Sequence, residues 1–151
     1  MGRCQYVSNM GSLTIVHEIP RFLIIINPKS GKGQAPRIYE RKVRPILEAA
    51  GCHISTNEDP ADDEHSDNSR VYITKGPGDA VKYVDKILMS QYDTILCISG
   101  DGGVHEVVNG MANRGDAKKI LKKIAIAVIP GGTLYPFYSN ARFWYDMLGI
   151  F

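Results

Sequence analysis

Residues 94–111 read TILCISGDGGVHEVVNGM: an apolar run, three glycines around one carboxylate, and an apolar stripe at helical spacing. Thr94–Ser99 is too continuously Ile, Leu and Cys to have a wet face, which is what a strand covered on both sides requires. Val104, Val107, Val108 and Met111 fall at i, i+3, i+4 and i+7, one face of a helix. Between them, Ser99-Gly100-Asp101-Gly102-Gly103 leaves little bulk beside Asp101, so successive N–H groups can form a concave nest for an anion. A plain turn with Asp101 as N-cap would need only one or two glycines.

Three more runs of the same kind, Phe22–Ile26, Val71–Thr74 and Ile124–Ile129, alternate with amphipathic stretches. That alternation is the mark of βαβ units, and the expected fold is α/β, a parallel sheet with helices on both faces. The first helix places Tyr39, Val43, Ile46, Leu47 and Ala50 on one face, kinks at Pro45 and ends at Gly51. The second starts with Asp79 as N-cap and buries Val81, Val84 and Leu88. At 151 residues and 44% hydrophobic content the chain suits one domain, expected over 21–133. Residues 1–20 have no usable periodicity and read as a loose arm. Six of the 16 acidic residues crowd into 56–69 without a Lys or Arg, a solvated insertion.

Three cysteines cannot all pair within one chain, and no signal peptide or 20-residue apolar span is present, so a cytoplasmic location is expected. Cys97 reads as a small apolar residue and His105 as a surface or packing residue. Lys118, Lys119, Lys122 and Lys123 form a basic helix end, a solvated face or a peripheral membrane contact. No nucleic-acid partner is expected, and the oligomeric state is left open.

In an open α/β sheet, ligands sit beyond the carboxyl ends of the strands. The first such end is Asn27-Pro28-Lys29-Ser30-Gly31-Lys32-Gly33, whose glycines let backbone amides approach an anion and whose lysines a structural turn would not need. It misses the Walker pattern, which wants glycine at 26 and Ser or Thr at 33 where the chain has Ile26 and Gly33. The last end, Pro130-Gly131-Gly132-Thr133, repeats the glycine turn, so several turns are expected to surround one polyphosphate.

The series FLIIINPKSGKG, RPILEAAGC, a threonine strand end, CISGDGGVHEVVNGM and AVIPGGT resembles the catalytic domain of the diacylglycerol kinase superfamily. Serine before the first glycine of the central block makes it most similar to sphingosine and sphingoid long-chain-base kinases. The resemblance implies a Rossmann-like domain of the NAD kinase/diacylglycerol kinase N-terminal type. It implies MgATP-dependent phosphorylation of a sphingoid base's primary hydroxyl, with nucleotide and lipid as partners. Asn27, Pro28, Lys29, Gly31 and Gly33 are then nucleotide residues, as are Thr74, Lys75, Gly76, Pro77, Gly78, Glu106, Gly132 and Thr133. Asp101 is the implied base, flanked at the substrate by Ser99, Gly100 and Gly102. The family commonly has histidine where this chain has Asp79. Mg²⁺ held by phosphates and water needs no cage of protein ligands, and none is expected.

The family pattern ends at Thr133, where Leu134-Tyr135-Pro136-Phe137 replaces its continuation. Seven of the 13 aromatic residues then fall in a divergent tail, 134–151. A chain this short cannot also hold the family's lipid-binding second domain, so activity impaired by truncation is expected. A non-catalytic nucleotide-binding remnant or regulator is the alternative, and an NAD kinase-like enzyme shares the turn but not the HEVVNG continuation.

Overall fold

The computed structural model describes residues 5–10, 13–55 and 69–131. Gly132, Thr133, the tail and residues 56–68 of the acidic insertion lie outside it. In chain order the strands are β1 (Gln5–Met10), β2 (Leu13–Glu18), β3 (Phe22–Ile26), β4 (Ile54–Ser55), β5 (Ser69–Ile73), β6 (Thr94–Ser99) and β7 (Ala125–Pro130). The helices are α1 (Ala35–Ile38), α2 (Arg44–Ala49), α3 (Asp79–Lys86), α4 (Asp101–Ala112) and α5 (Ala117–Lys123). Five strands form one parallel sheet in the order β4-β5-β3-β6-β7.

Side-chain alternation along the central strands explains helices on both faces. Ile24 and Ile26 of β3, with Leu96 and Ile98 of β6, meet Ala35, Tyr39 and Val43 on one side. Leu23, Ile25, Ile95 and Cys97 meet Val84 of α3, Val104, Val107 and Met111 of α4 and Ile120 of α5 on the other. Gly110 lets α4 approach α3 closely; a Cβ there would lie 2.8 Å from the Val81 carbonyl oxygen and 2.9 Å from Val84 Cβ.

Several boundaries depart from the sequence reading. The first twenty residues, expected as a loose arm, carry β1 and β2 as an antiparallel ribbon with its own ladder, separate from the parallel sheet. Ser69, placed in the insertion by its polarity, opens β5: it is buried, and its hydroxyl accepts the Phe22 N–H at 2.9 Å. β4, only two residues long, has no counterpart in the sequence reading, and β7 starts one residue late. Ile46 is 68% exposed, although helical spacing put it in the core. The cause is a π turn over Tyr39–Val43, closed by the Arg44 N–H bonding five residues back to the Tyr39 carbonyl. Its wider turn lines up Ala35, Tyr39, Val43 and Leu47 at intervals of four and swings Ile46 outward. Pro45, where a kink is expected, lies just beyond this π turn, in the first turn of α2. Leu88 is also exposed, because α3 stops at Lys86 and the extended Ile87 takes the buried position instead.

The segments after β3 and β6 leave on opposite faces of the sheet although the two strands are neighbours. That is the switch point at which open α/β sheets form a crevice. Among the described residues no helix is long and apolar enough to cross a membrane.

Candidate functional site

The turn after β3 is folded by its own asparagine. Asn27 Oδ1 accepts the Lys29 N–H at 3.0 Å and the Asn27 carbonyl accepts the Ser30 N–H at 3.1 Å, an Asx-turn that Pro28 favours by fixing φ. Gly31 and Gly33 then take left-handed φ of 57° and 71°, which lets the chain double back into α1.

The loop after β5 is anchored by the Thr74 N–H on the Ile26 carbonyl at 2.9 Å. It closes on α3 through Gly78 at φ 73°, so Gly78, not Asp79, is the N-cap. Asp79 is instead the first helical residue, with its carboxylate turned back on the loop. Glu106 reaches across from α4, its Oε1 accepting the Gly78 N–H at 2.9 Å.

After β6, Gly100 is extended and Asp101 opens α4, with Asp101 Oδ1 accepting the Gly102 N–H at 3.0 Å. Gly103 fits where nothing larger could: a Cβ there would lie 2.7 Å from Ser99 Cβ and closer still to its hydroxyl. Gly102 faces open space, with no atom within 4 Å of where a Cβ would stand.

These three loops line one cavity of about 390 Å³, within the range of small-molecule sites. Asn27, Lys29 and Gly31 enter from the first loop, and Thr74, Gly76 and Pro77 from the second. Gly100, Asp101, Gly102 and Glu106 come from the third. Pro28, Gly33, Lys75 and Gly78 shape the loops without lining the cavity. Ser99 also stays outside it; it is 2% exposed, with its hydroxyl donating to the Gly100 carbonyl at 2.8 Å. Gly131 packs under the site, its N–H on the Ser99 carbonyl at 3.0 Å, and a Cβ there would lie 2.8 Å from that of Ala35. The expected contributions of Gly132 and Thr133 fall outside the described residues. Two lining residues, Ser30 and Gly103, were not on the expected set, although both lie inside the glycine turns that flagged the site.

The chemistry of this lining is that of an anion site. Among the described residues, the backbone N–H groups of Gly31, Gly76, Gly100, Asp101 and Gly103 have no hydrogen-bond acceptor, and all five residues line the cavity. Those of Asp101 and Gly103 are the orphan donors of the α4 N-terminus, where the helix dipole adds partial positive charge. The Lys29 side chain supplies a full one. Asp101 and Glu106 are the carboxylates at the cavity, and among the described residues no three His, Cys, Asp or Glu side chains gather as a metal site. Phosphate oxygens suit these donors, and a divalent cation that takes most of its ligands from phosphate and water suits so sparse a carboxylate set.

Comparison with known proteins gives the same direction. The family model of the diacylglycerol kinase catalytic domain matches residues 21–143. The chain is 39% identical to sphingoid long chain base kinase 5 of Saccharomyces cerevisiae over 110 residues, which is 73% of this chain and 14% of that protein. With sphingosine kinase 2 of Arabidopsis thaliana it shares 33% identity over 129 residues, 85% of this chain and 22% of that one. A solved diacylglycerol kinase from Bacillus anthracis superposes with a TM-score of 0.51 at 30% identity, covering 76% of this chain and 34% of that one. The chain thus spans 14 to 26% of the length of curated relatives such as these.

Proposed function

The chain belongs to the diacylglycerol kinase catalytic domain family, and from that premise we propose that it is the nucleotide-binding module of an ATP-dependent lipid kinase acting on sphingoid bases. One observation carries the reading: unpartnered amide donors from three strand ends gather with Lys29 and Asp101 around one cavity. The sphingoid substrate is supported by the names of the relatives and by Ser99 before the glycine turn.

In the transfer, the substrate hydroxyl oxygen forms the bond to the γ-phosphorus while the bond from that phosphorus to the β–γ bridging oxygen breaks. The hydroxyl proton passes to Asp101. The N–H groups of Gly31, Gly100 and Gly103 and the Lys29 ammonium hold phosphate oxygens and offset their charge. Glu106 is the carboxylate at the cavity that would help hold Mg²⁺, which would supply charge neutralisation for the phosphates. On this reading the module works in the cytoplasm against a lipid surface; the buried free thiols of Cys52 and Cys97 fit a reducing compartment.

Positioning of the hydroxyl against the phosphate is worth roughly 7–11 kcal/mol in favourable systems, whereas a general base supplies only about 10²–10⁴-fold. A base alone supplies the smaller share, so a second reading of these 151 residues assayed by themselves is nucleotide binding with turnover near background. The deciding experiment is calorimetric titration with MgATP beside a sphingosine phosphorylation assay. Binding by the parent chain and loss of binding in Gly102→Asp, whose carboxylate would project into the open cavity, are expected. Equal affinity in the two proteins would end the assignment of the cavity. Robust phosphorylation abolished by Asp101→Asn would instead replace the binding-only reading with a complete enzyme.

A further inference from the structure

The loop between β5 and α3 is held from outside its backbone by two carboxylates. Glu106 is one. The other is Asp79, whose Oδ2 accepts the Lys75 N–H at 2.7 Å and the Tyr72 hydroxyl at 2.8 Å. A single oxygen thereby joins the strand before the loop, the loop itself and the helix after it. Both bonds run to a carboxylate, the stronger class of hydrogen bond. Tyr72 is itself fixed, since its ring stacks on Tyr83 of α3 with centroids 3.5 Å apart and planes 7° from parallel.

The remaining amides of the loop are also engaged. Thr74 N–H bonds to Ile26, Gly78 N–H to Glu106 and Asp79 N–H to the Gly76 carbonyl at 3.3 Å, while Pro77 has none. Gly76 alone within 74–79 keeps an N–H without an acceptor among the described residues, and Gly76 lines the cavity. A glycine beside a proline, with nothing within 4 Å of its side-chain position, has no packing of its own to aim that amide. Its direction is set by the bonds on either side of it.

We propose that Asp79, together with Tyr72, is a positioning residue of the pocket: its carboxylate fixes the Lys75–Gly78 loop so that the Gly76 N–H is presented to a nucleotide acceptor. This rests on the reading of the cavity as a MgATP site. With the loop untied, the ligand itself would have to order it, and affinity falls by that cost.

The test compares the full chain with Asp79→Ala and Tyr72→Phe, using two readouts. Amide hydrogen exchange without nucleotide reads the tie directly. In Asp79→Ala the Lys75 N–H should exchange at least about tenfold faster while the α3 interior at Val84 is unchanged. Calorimetry with MgATP should give a Kd raised about tenfold in Asp79→Ala and about threefold in Tyr72→Phe, which keeps the stacked ring. A Kd unchanged in Asp79→Ala, or a Lys75 exchange rate that stays at the parent value, overturns the positioning role. A parent chain that takes up no MgATP overturns the reading of the cavity and the nucleotide role of Asp79 with it, and is told apart by exchange rates that still differ between parent and variant. Should Asp79→Ala fail to fold, Tyr72→Phe, which leaves the start of α3 intact, carries both readouts.

Discussion

Gly102 and Gly103 are adjacent in the first turn of α4, yet alanine at each should act in opposite directions on stability. At Gly103 the new Cβ would stand 2.7 Å from Ser99 Cβ, an atom fixed to the buried end of β6 that no rotamer can move. Ordinary contact begins at 3.4 Å, so the first turn of α4 must lift by roughly 0.7 Å or β6 must yield. Overpacking of this kind costs about 1–3 kcal/mol, against a gain of at most about 1 kcal/mol from replacing a helical glycine. The net expectation for Gly103→Ala is a loss of about 1–2 kcal/mol, which in a domain of this size lowers Tm by roughly 2–8 °C. Gly102→Ala meets nothing and should leave Tm level or slightly raised, while its methyl intrudes on MgATP and weakens binding. Thermal denaturation followed by circular dichroism, with MgATP titrations of each variant, measures both effects. Ser99→Gly removes the obstructing atoms, so a double-mutant cycle with Gly103→Ala should give a favourable coupling. A Gly103→Ala protein as stable as the parent, or a cycle with no coupling, would refute the steric reasoning.

Two further outcomes follow from buried polar groups away from the site. Among the described residues the buried Tyr39 hydroxyl has no hydrogen-bond partner, so Tyr39→Phe should gain about 1 kcal/mol in urea denaturation, and a clear loss would contradict that view of the site. Burial pushes the Cys97 thiol from its ordinary 9.0 up to about 12 and the Tyr39 phenol from 10.0 up to about 12. Because the folded state holds both protons more tightly, this contribution is complete below about pH 9 and is lost as pH rises towards about 12. The urea midpoint should fall over that window, and less steeply in a Tyr39→Phe, Cys97→Ala protein; identical slopes would sink the assignment.

How far the fold was legible depended on whether a residue's neighbours lay nearby in sequence. Val104, Val107, Val108 and Met111 are all buried as their spacing implied, because an uninterrupted α-helix preserves its period. Ile46 failed for the complementary reason: 3.6 residues per turn does not hold across a segment that widens to a π turn. The β1–β2 ribbon escaped notice because its pairing is antiparallel and outside the βαβ plan, although Gly11-Ser12 between two β-rich runs is a two-residue hairpin signal. At the site, glycine turns after buried strands located the cavity, since backbone approach leaves a compositional trace. The tie between Asp79 and Tyr72 left none, for it depends on the angle at which α3 returns to β5. Ser99, expected at the substrate, is buried with its hydroxyl on the Gly100 carbonyl, a placement that composition does not reveal.

The π turn over Tyr39–Val43 also bears on how this chain tolerates changes in length. A π turn accommodates one residue more than an α-helix needs for the same advance, so it is where a single-residue insertion is absorbed without moving the turn at Asn27–Gly33. Excising one residue there would restore an α-helical phase and keep Leu47 on the sheet, but it would set the Pro45 ring against the carbonyl four residues before it. The segment is therefore open to gain in ancestry and closed to loss, and an alignment gap placed within 39–43 of this chain would carry a structural penalty that a gap in a surface loop would not.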